Sequence, residues 1–166
     1  FKEQEDFIEV IYGSLDGSIY FLDLKTGEKS REPITTGNPI KGSVAVDPRG
    51  YPLLYVGDGI PQAAPFGQRV FSLIDQTELY FQKGIDNFAY RDWGAFDSSP
   101  LINRKTDTLI AAGENGLFYR TKLNTHFDIE AKTITVDPEP LKYRYKITGN
   151  NYQGIENSVA VYRNLA

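Results

Sequence analysis

One sequence unit recurs along this chain, and it limits the possible folds more than any other feature. Each copy is an apolar run, a turn that contains glycine, and a second apolar run. The glycines at these turns are Gly13, Gly57 and Gly113. A second, serine-containing element recurs with them, anchored at Ser43, Ser99 and Ser158. The glycines are 44 and 56 residues apart and the serines 56 and 59. Such spacings indicate a repeat architecture in which one supersecondary unit is enlarged by insertions.

The turns and the composition both favour β-strands. Asp16-Gly17, Asp58-Gly59 and Asn115-Gly116 occupy the turns, and such pairs supply the positive φ that tight hairpins need. The chain has 11 Tyr and 10 Phe, residues that suit pleated, half-buried surfaces. Fifteen Gly and nine Pro provide frequent turns.

Each full unit is predicted to contain four short antiparallel strands. The predicted strands are 43–47, 52–57, 70–74 and 78–82 in one unit, and 99–103, 108–112, 117–123 and about 127–135 in the next. Four such strands per repeat are typical of a β-propeller blade. A β-sandwich also has short strands, but it has no reason to repeat one unit at this period. The predicted fold is therefore all-β: a β-propeller fragment of about three four-stranded blades, which is an incomplete ring.

The whole chain, 1–166, is assigned to one propeller domain. Its predicted parts are a partial blade at 1–35, a blade at 43–82, a blade at 99–135, and an extension plus the start of the next blade at 141–166.

The repeats resemble the quinoprotein-like (PQQ-like) family. Tyr12–Glu28 matches most of that family's unit, Tyr55–Gly59 matches its middle, and Ser98-Ser99-Pro100 matches its opening. The chain departs from the family at the tryptophan that locks neighbouring blades, where it has Arg31 or a neighbour, with Phe81 as a substitute in the next unit. Packing between blades is therefore expected to come from Phe, Tyr and Pro.

The resemblance implies two kinds of function. Some family members are dehydrogenases that carry pyrroloquinoline quinone and calcium, and others are non-catalytic scaffolds. The enzymes resemble one another in a Trp beneath the cofactor, and Trp93 is the only Trp in this chain. We favour a loop anchor over a cofactor contact for Trp93. No cofactor is predicted, and pyrroloquinoline quinone with calcium is the alternative.

No catalytic or metal-binding residue is predicted. The polar residues at the turns, Asp16, Asp58, Glu114 and Asn115, are interpreted as turn formers rather than calcium ligands. His126 is the only histidine and is interpreted as an exposed turn residue, because a usual zinc site needs more ligands. The chain has no Cys, which rules out thiol catalysis and Cys-ligated zinc.

A ligand-binding face is predicted from connection lengths. In alternating strands, the connections from strand two to three and from each blade to the next lie at one end. The long connections, 60–69, 83–97 and 136–156, all belong to this set. Loops on rigid scaffolds often carry function. The predicted ligand- or partner-binding residues are Phe66, Tyr90, Arg91, Asp92, Trp93 and Tyr152.

The expected role is a non-catalytic binding or scaffolding segment of a larger protein outside the cytoplasm, in a bacterial periplasm or at a cell surface. The alternative is part of a propeller enzyme with catalytic residues in other blades. The net charge of −4 and the scattered basic residues disfavour nucleic acid. No apolar run is long enough to predict a membrane span. The expected partners are the remaining blades of the same protein, or a second chain, together with a protein or carbohydrate ligand.

Overall fold

Antiparallel β-strands account for the regular structure of this protein in its computed structural model, which describes residues 7–59, 65–89, 94–144 and 154–162. Within these ranges there are thirteen strands in four sheets and no helix. The all-β prediction is therefore confirmed. The described residues include no helix that is long and apolar enough to cross a membrane.

Three of the sheets follow one another along the chain. The first sheet contains β1 (Glu9–Gly13), β2 (Ser18–Asp23) and β3 (Ile34–Thr35), in that order. The second sheet contains β4 (Ala45–Val46), β5 (Leu53–Gly57), β6 (Gly67–Ser72) and β7 (Glu78–Lys83), also in chain order. The third sheet contains β8 (Leu101–Asn103), β9 (Thr108–Ala112), β10 (Leu117–Lys122) and β13 (Glu139–Arg144).

The prediction of the third sheet's outer strand was wrong. Residues 127–135 were expected to form it, but they lie within a separate hairpin of β11 (His126–Asp128) and β12 (Thr133–Thr135). The Asp128 carboxylate accepts hydrogen bonds from the N–H groups of Glu130 and Ala131, which turns the chain back on itself. The outer strand is instead β13, which pairs with β10. β13 overlaps the segment that begins at residue 141 and was predicted to be an extension.

The second sheet is packed on both faces, which explains why every residue of β5 is buried. Leu54, Val56 and Phe71 form one face and cluster with apolar residues of the first sheet, Ile19 and Phe21. Leu53, Tyr55 and Val70 form the other face and cluster with Leu109 and Leu123 of the third sheet region. Full burial of one such side chain contributes roughly 1.5–3 kcal/mol, so these two interfaces are the main apolar core.

Equivalent hydrogen bonds show that the sheets repeat. The N–H of the residue that follows β1, β5 or β9 donates to the carbonyl of the first residue of the next strand: Ser14 to Ser18, Asp58 to Gly67, and Gly113 to Leu117. The carbonyl groups of the same three residues accept from the connectors, at Ile40, Phe96 and Ile155. The position equivalent to Gly13 and Gly57 is therefore Ala112. The alignment of Gly113 with those glycines was wrong by one residue, because Gly113 is the first residue of a four-residue turn, 113–116, that has the same length as turn 14–17.

Packing between the first and second sheets does not depend on aromatic rings and proline alone. Arg31 forms an ion pair with Glu9 across 2.8 Å and stacks over Phe21. Its guanidinium also donates to the carbonyl oxygen of Leu73, in the turn that follows β6, across 2.8 Å. Arg31 therefore links the first sheet to the second. In the sequence analysis this is the position at which the PQQ-like family would have its Trp.

Candidate functional site

The stems of the long connections meet at one end of the sheets. We call this region the loop end, and its described residues are 58–59, 65–67, 84–89, 94–97, 113–116 and 154–156. Gly59 lies close to Ala95, since a Cβ added at Gly59 would be 3.4 Å from the Cα of Ala95. The N–H of Phe96 donates to the carbonyl of Asp58 across 3.1 Å. The insertion that follows β5 and the connector that follows β7 therefore meet at adjoining points.

Phe66 is buried between the stems and packs against the connector that follows β7. Its side chain is buried, and its ring contacts the backbone at Gly84 so closely that no Cβ fits there. The N–H of Gly84 also donates to the Phe66 carbonyl across 2.8 Å. Phe66 thus packs within the scaffold, and its ring is 2% exposed.

A buried ion pair lies below the insertion. Asp58 Oδ2 accepts a hydrogen bond from Arg69 Nε across 2.9 Å, and Arg69 forms a second ion pair with Glu78 across 2.6 Å. The guanidinium also stacks on the ring of Phe81, 4.0 Å from its centroid. Burial raises the pKa of Asp58, although the Gly67 N–H and Arg69 partly counteract it. Each of the two buried groups, Arg69 and Asp58, therefore has an oppositely charged partner.

The third sheet has a neutral pair in the equivalent place. Asn115 Nδ2 donates to the Tyr119 hydroxyl across 2.9 Å and to the Gly84 carbonyl across 2.6 Å. Burial raises the pKa of Tyr119, which remains a neutral phenol. Because Gly84 belongs to the connector that follows β7, Asn115 fixes that stem from the neighbouring sheet.

The turn-former interpretation is confirmed for Asp16, Asp58 and Asn115, but not for Glu114. Asp16 Oδ1 accepts from the Ser18 N–H, Asp58 Oδ1 from the Gly67 N–H, and Asn115 Oδ1 from the Leu117 N–H. Each acceptor caps the first residue of the next strand. The predicted positive φ is present at Gly17, Gly59 and Gly116. Glu114 has a different task, since its carboxylate accepts from the Ala95 N–H across 2.8 Å.

Lys41 lies beside a carboxylate of the loop end. Lys41 forms an ion pair with Asp97 across 2.9 Å. That hydrogen bond raises the pKa of Lys41 against the effect of partial burial, and the charges of Glu114 and Glu156 act in the same direction. This part of the loop end therefore carries more negative than positive charge among its described side chains.

No protein-family model matches the chain, and no curated protein matches it. The resemblance to PQQ-like repeats consequently stays a prediction from the residues quoted above.

The structure describes one of the six predicted binding residues. Tyr90, Arg91, Asp92, Trp93 and Tyr152 lie outside the described residues. Phe66 is the one described member of the set. His126 lies at the start of β11 and is exposed. In the described part of the chain, no group of three or more His, Cys, Asp or Glu side chains is arranged to hold a metal ion.

Sequence reasoning missed Arg69 and Asn38, which hold the insertion. Asn38 Nδ2 donates to the carbonyl of Pro65, and Arg69 ties the insertion to β6 through Asp58. The sequence does contain a signal for Arg69. It immediately precedes the apolar residues of the strand at Val70–Ser72, and a charged side chain that is buried in a strand needs a partner.

Proposed function

We propose that this chain is part of a β-propeller that serves as a non-catalytic binding or scaffolding segment of a larger, extracytoplasmic protein. The first, second and third sheets would be consecutive blades of an incomplete ring. Two findings support this architecture: each sheet packs on the next, and the same hydrogen bonds join each connector to the preceding sheet. A radial array of small antiparallel sheets has these properties.

The proposed binding surface is the loop end. The observation that carries it is the hydrogen bond between the two stems, from the Phe96 N–H to the Asp58 carbonyl across 3.1 Å, because segment 60–64 follows Gly59 in the sequence and segment 90–93 immediately precedes Gly94. Beneath it, the buried strand β5 and the Asp58–Arg69 pair form a rigid base. Segment 90–93 contains Tyr, Arg, Asp and Trp, residue types that are frequent in binding hot spots.

A protein or carbohydrate ligand fits this composition. Aromatic rings stack on the apolar faces of sugars and peptides, while Arg91 and Asp92 supply hydrogen-bond donors and acceptors. The carboxylates around Lys41 favour ligands without strong negative charge.

Trp93 provides a direct test, because it is the only Trp in the chain. Its fluorescence is titrated with N-acetylglucosamine oligomers, with a peptide library, and with pyrroloquinoline quinone plus calcium. We expect a saturable change with an oligosaccharide or a peptide. Saturable binding of the quinone with calcium would instead favour the dehydrogenase alternative.

Alanine variants separate binding from folding. Arg91→Ala and Trp93→Ala should weaken binding, measured by calorimetry, and leave the melting temperature nearly unchanged. Arg104→Ala is the matched control, because Arg104 is exposed in the turn between β8 and β9 at the other end. A large loss of melting temperature with unchanged binding would reject the loop end as the binding surface.

A further inference from the structure

The connector that follows β7 begins with a short turn, residues 84–89, which we call the connector turn. Asp86 organises it: its Oδ1 accepts a hydrogen bond from the Phe88 N–H across 2.8 Å, and its carbonyl accepts from the Ala89 N–H across 3.0 Å. Gly84, at the start of the turn, is hydrogen-bonded through both its N–H and its carbonyl. The conformation of the turn and its place on the scaffold are therefore both fixed.

The connector turn is also tied to β13 of the third sheet. Asp86 forms an ion pair with Lys142, and the guanidinium of Arg144 lies over the ring of Phe88, 6.0 Å from its centroid. The turn thus lies where the second sheet leads into the third, and both of these sheets are present. Exposure of its side chains is therefore not the result of a missing neighbouring sheet.

Two apolar side chains of this turn are exposed. Ile85 and Phe88 are 46% and 48% exposed, although the turn that carries them is fixed. A single exposed apolar side chain is ordinary on a protein surface, but two on one rigid turn form a preformed apolar patch. Binding to such a patch costs little conformational entropy, because its backbone is already ordered.

Positive charge accompanies the apolar patch. The connector turn and the adjoining ends of β7 and β13 contain one carboxylate, Asp86, and three cations, Lys83, Lys142 and Arg144. The side chain of Asp86 is 12% exposed and is paired with Lys142, whereas Lys83 is exposed. The solvent-facing side of the patch is therefore positive, in a chain whose net charge is −4.

These cations and the carboxylate beside Lys41 lie at opposite edges of the third sheet. Lys142 and Arg144 belong to β13, the strand at one edge, and Asp97 precedes β8, the strand at the other. Three strand spacings separate the two edges, which is roughly 14 Å. That distance exceeds the screening length of about 8 Å at physiological salt. A ligand can therefore place a carboxylate at the patch without strong repulsion from Asp97.

We propose that the connector turn docks a peptide segment of a partner protein, in which an apolar side chain lies next to one or two carboxylates. The apolar side chain packs against Ile85 and Phe88, and a carboxylate pairs with Lys83. A sugar fits this patch less well, because Arg144 lies over the Phe88 ring and isoleucine has no flat face on which a sugar can stack. This inference rests on the proposed binding function of the loop end and names the class of its ligand.

Two peptide libraries test the required chemistry. Both have Leu, Ile, Phe or Trp at a central position, and the two flanking positions are Asp or Glu in one library and Lys in the other. The immobilised protein should enrich members of the acidic library and not of the basic one. The affinity of an enriched peptide should fall as the NaCl concentration rises, because the paired charges are exposed to solvent.

Variants of the patch test its position. Phe88→Ala should weaken binding of the enriched peptide about tenfold, as expected for an aromatic anchor. Lys83→Gln should weaken it about threefold and reduce its dependence on salt, without altering the apolar contact. Ile129→Ala is the matched control, since Ile129 is 73% exposed in the β11–β12 turn, and it should leave binding unchanged. Circular dichroism and thermal unfolding verify that each variant is folded.

The outcomes separate this inference from the proposed binding function. Absence of enrichment, equal enrichment of the two libraries, or equal affinity of the wild type and Phe88→Ala would overturn the peptide-docking site. The Trp93 titration is read independently. Oligosaccharide binding that is lost in Trp93→Ala and unchanged in Phe88→Ala would retain the loop end as the binding surface and reject the peptide as its ligand.

Discussion

The hydroxyl oxygen of Ser99 accepts a hydrogen bond from the backbone N–H of Ser43 across 3.1 Å, so equivalent residues of successive repeats are bonded to each other. The N–H of Ser99 then donates to Ser158 Oγ, one repeat further on. Ser99 thus offers its N–H to the following repeat and its hydroxyl to the preceding one. The recurrence of serine at this place in the sequence is thereby explained by a contact between sheets.

Removal of the Ser99 hydroxyl should weaken the junction between the second and third sheets. Ser99→Ala takes away the acceptor for the Ser43 N–H, and loss of one hydrogen bond costs about 0.5–1.5 kcal/mol. Urea unfolding measures the change. Ser43→Ala is the control, because the bond uses the backbone N–H of Ser43, and it should cost much less. Equal losses in the two variants would contradict this role for the Ser99 hydroxyl.

Gly57 is needed for close approach rather than for an unusual φ. A Cβ at this position would lie 2.8 Å from the Cβ of Phe96 and would also collide with the Phe96 carbonyl. Gly57→Ala should therefore destabilise the protein by about 1–3 kcal/mol, measured by thermal unfolding. At Gly113 an added Cβ would meet the ring of Phe96 and the Asn115 side chain at 3.0 Å, where side chains can adjust. Gly113→Ala should cost less, and the reverse order would contradict the close approach of Phe96 to Gly57.

The local parts of this structure could be predicted from the sequence, and the contacts between distant residues could not. Asp16 and Asn115 were identified as turn formers because each precedes a glycine between apolar runs. The β11–β12 hairpin was missed because its turn depends on one Asx contact at Asp128, which resembles an ordinary polar residue in a strand. Arg69 was missed because its partner, Asp58, becomes its neighbour only when β5 and β6 pair.

The same limit applies to the candidate site. Connection lengths predicted that the long loops share one end of the sheets, and the described stems at Gly59 and Ala95 do meet there. The burial of Phe66 could not be predicted, because it depends on Gly84 in the next connector, which leaves room for the ring. A loop aromatic next to glycines has no local pattern that distinguishes a packed ring from an exposed one.

Arg49 clamps the second sheet to the third and should make stability depend on pH. It forms ion pairs with Asp47 and Asp107, and the Tyr55 hydroxyl also donates to Asp47. Burial alone would raise the pKa values of both carboxyl groups, but the hydrogen bonds, from Arg49 to both and from Thr125 to Asp107, hold them below the ordinary value. Their contribution is therefore present above pH 4, roughly, and is lost as the pH falls through the lowered pKa values.

Arg49→Ala should reverse the direction in which the ionisation of Asp47 makes stability depend on pH. Without the guanidinium, the buried Asp47 carboxylate has a raised pKa, and its charge costs stability at neutral pH. The variant should lose about 3 kcal/mol at pH 7. Its deficit should shrink as the pH falls through the raised pKa of Asp47, and shrink further below about pH 4, where the wild type loses its own contribution. Urea unfolding at several pH values measures this, with Arg104→Ala as the control. A deficit that is the same at pH 7 and pH 3.5 would contradict the clamp.

The buried Asp58–Arg69 pair should be replaceable by the neutral pair that the third sheet carries in the same place. Asp58→Asn leaves Arg69 without its buried counter-ion, and Arg69→Tyr leaves the Asp58 carboxylate unpaired, so each single change should cost about 3 kcal/mol. In the double variant, the amide of residue 58 can donate to the phenol of residue 69, as Asn115 does to Tyr119 across 2.9 Å. The double variant should be within about 1 kcal/mol of the wild type, which is a coupling of several kcal/mol in a double-mutant cycle measured by urea unfolding. Additive losses would show that the two sites are not interchangeable. The ion pair would then owe its place to the insertion, whose Pro65 carbonyl also accepts from Arg69, and not to the repeated fold.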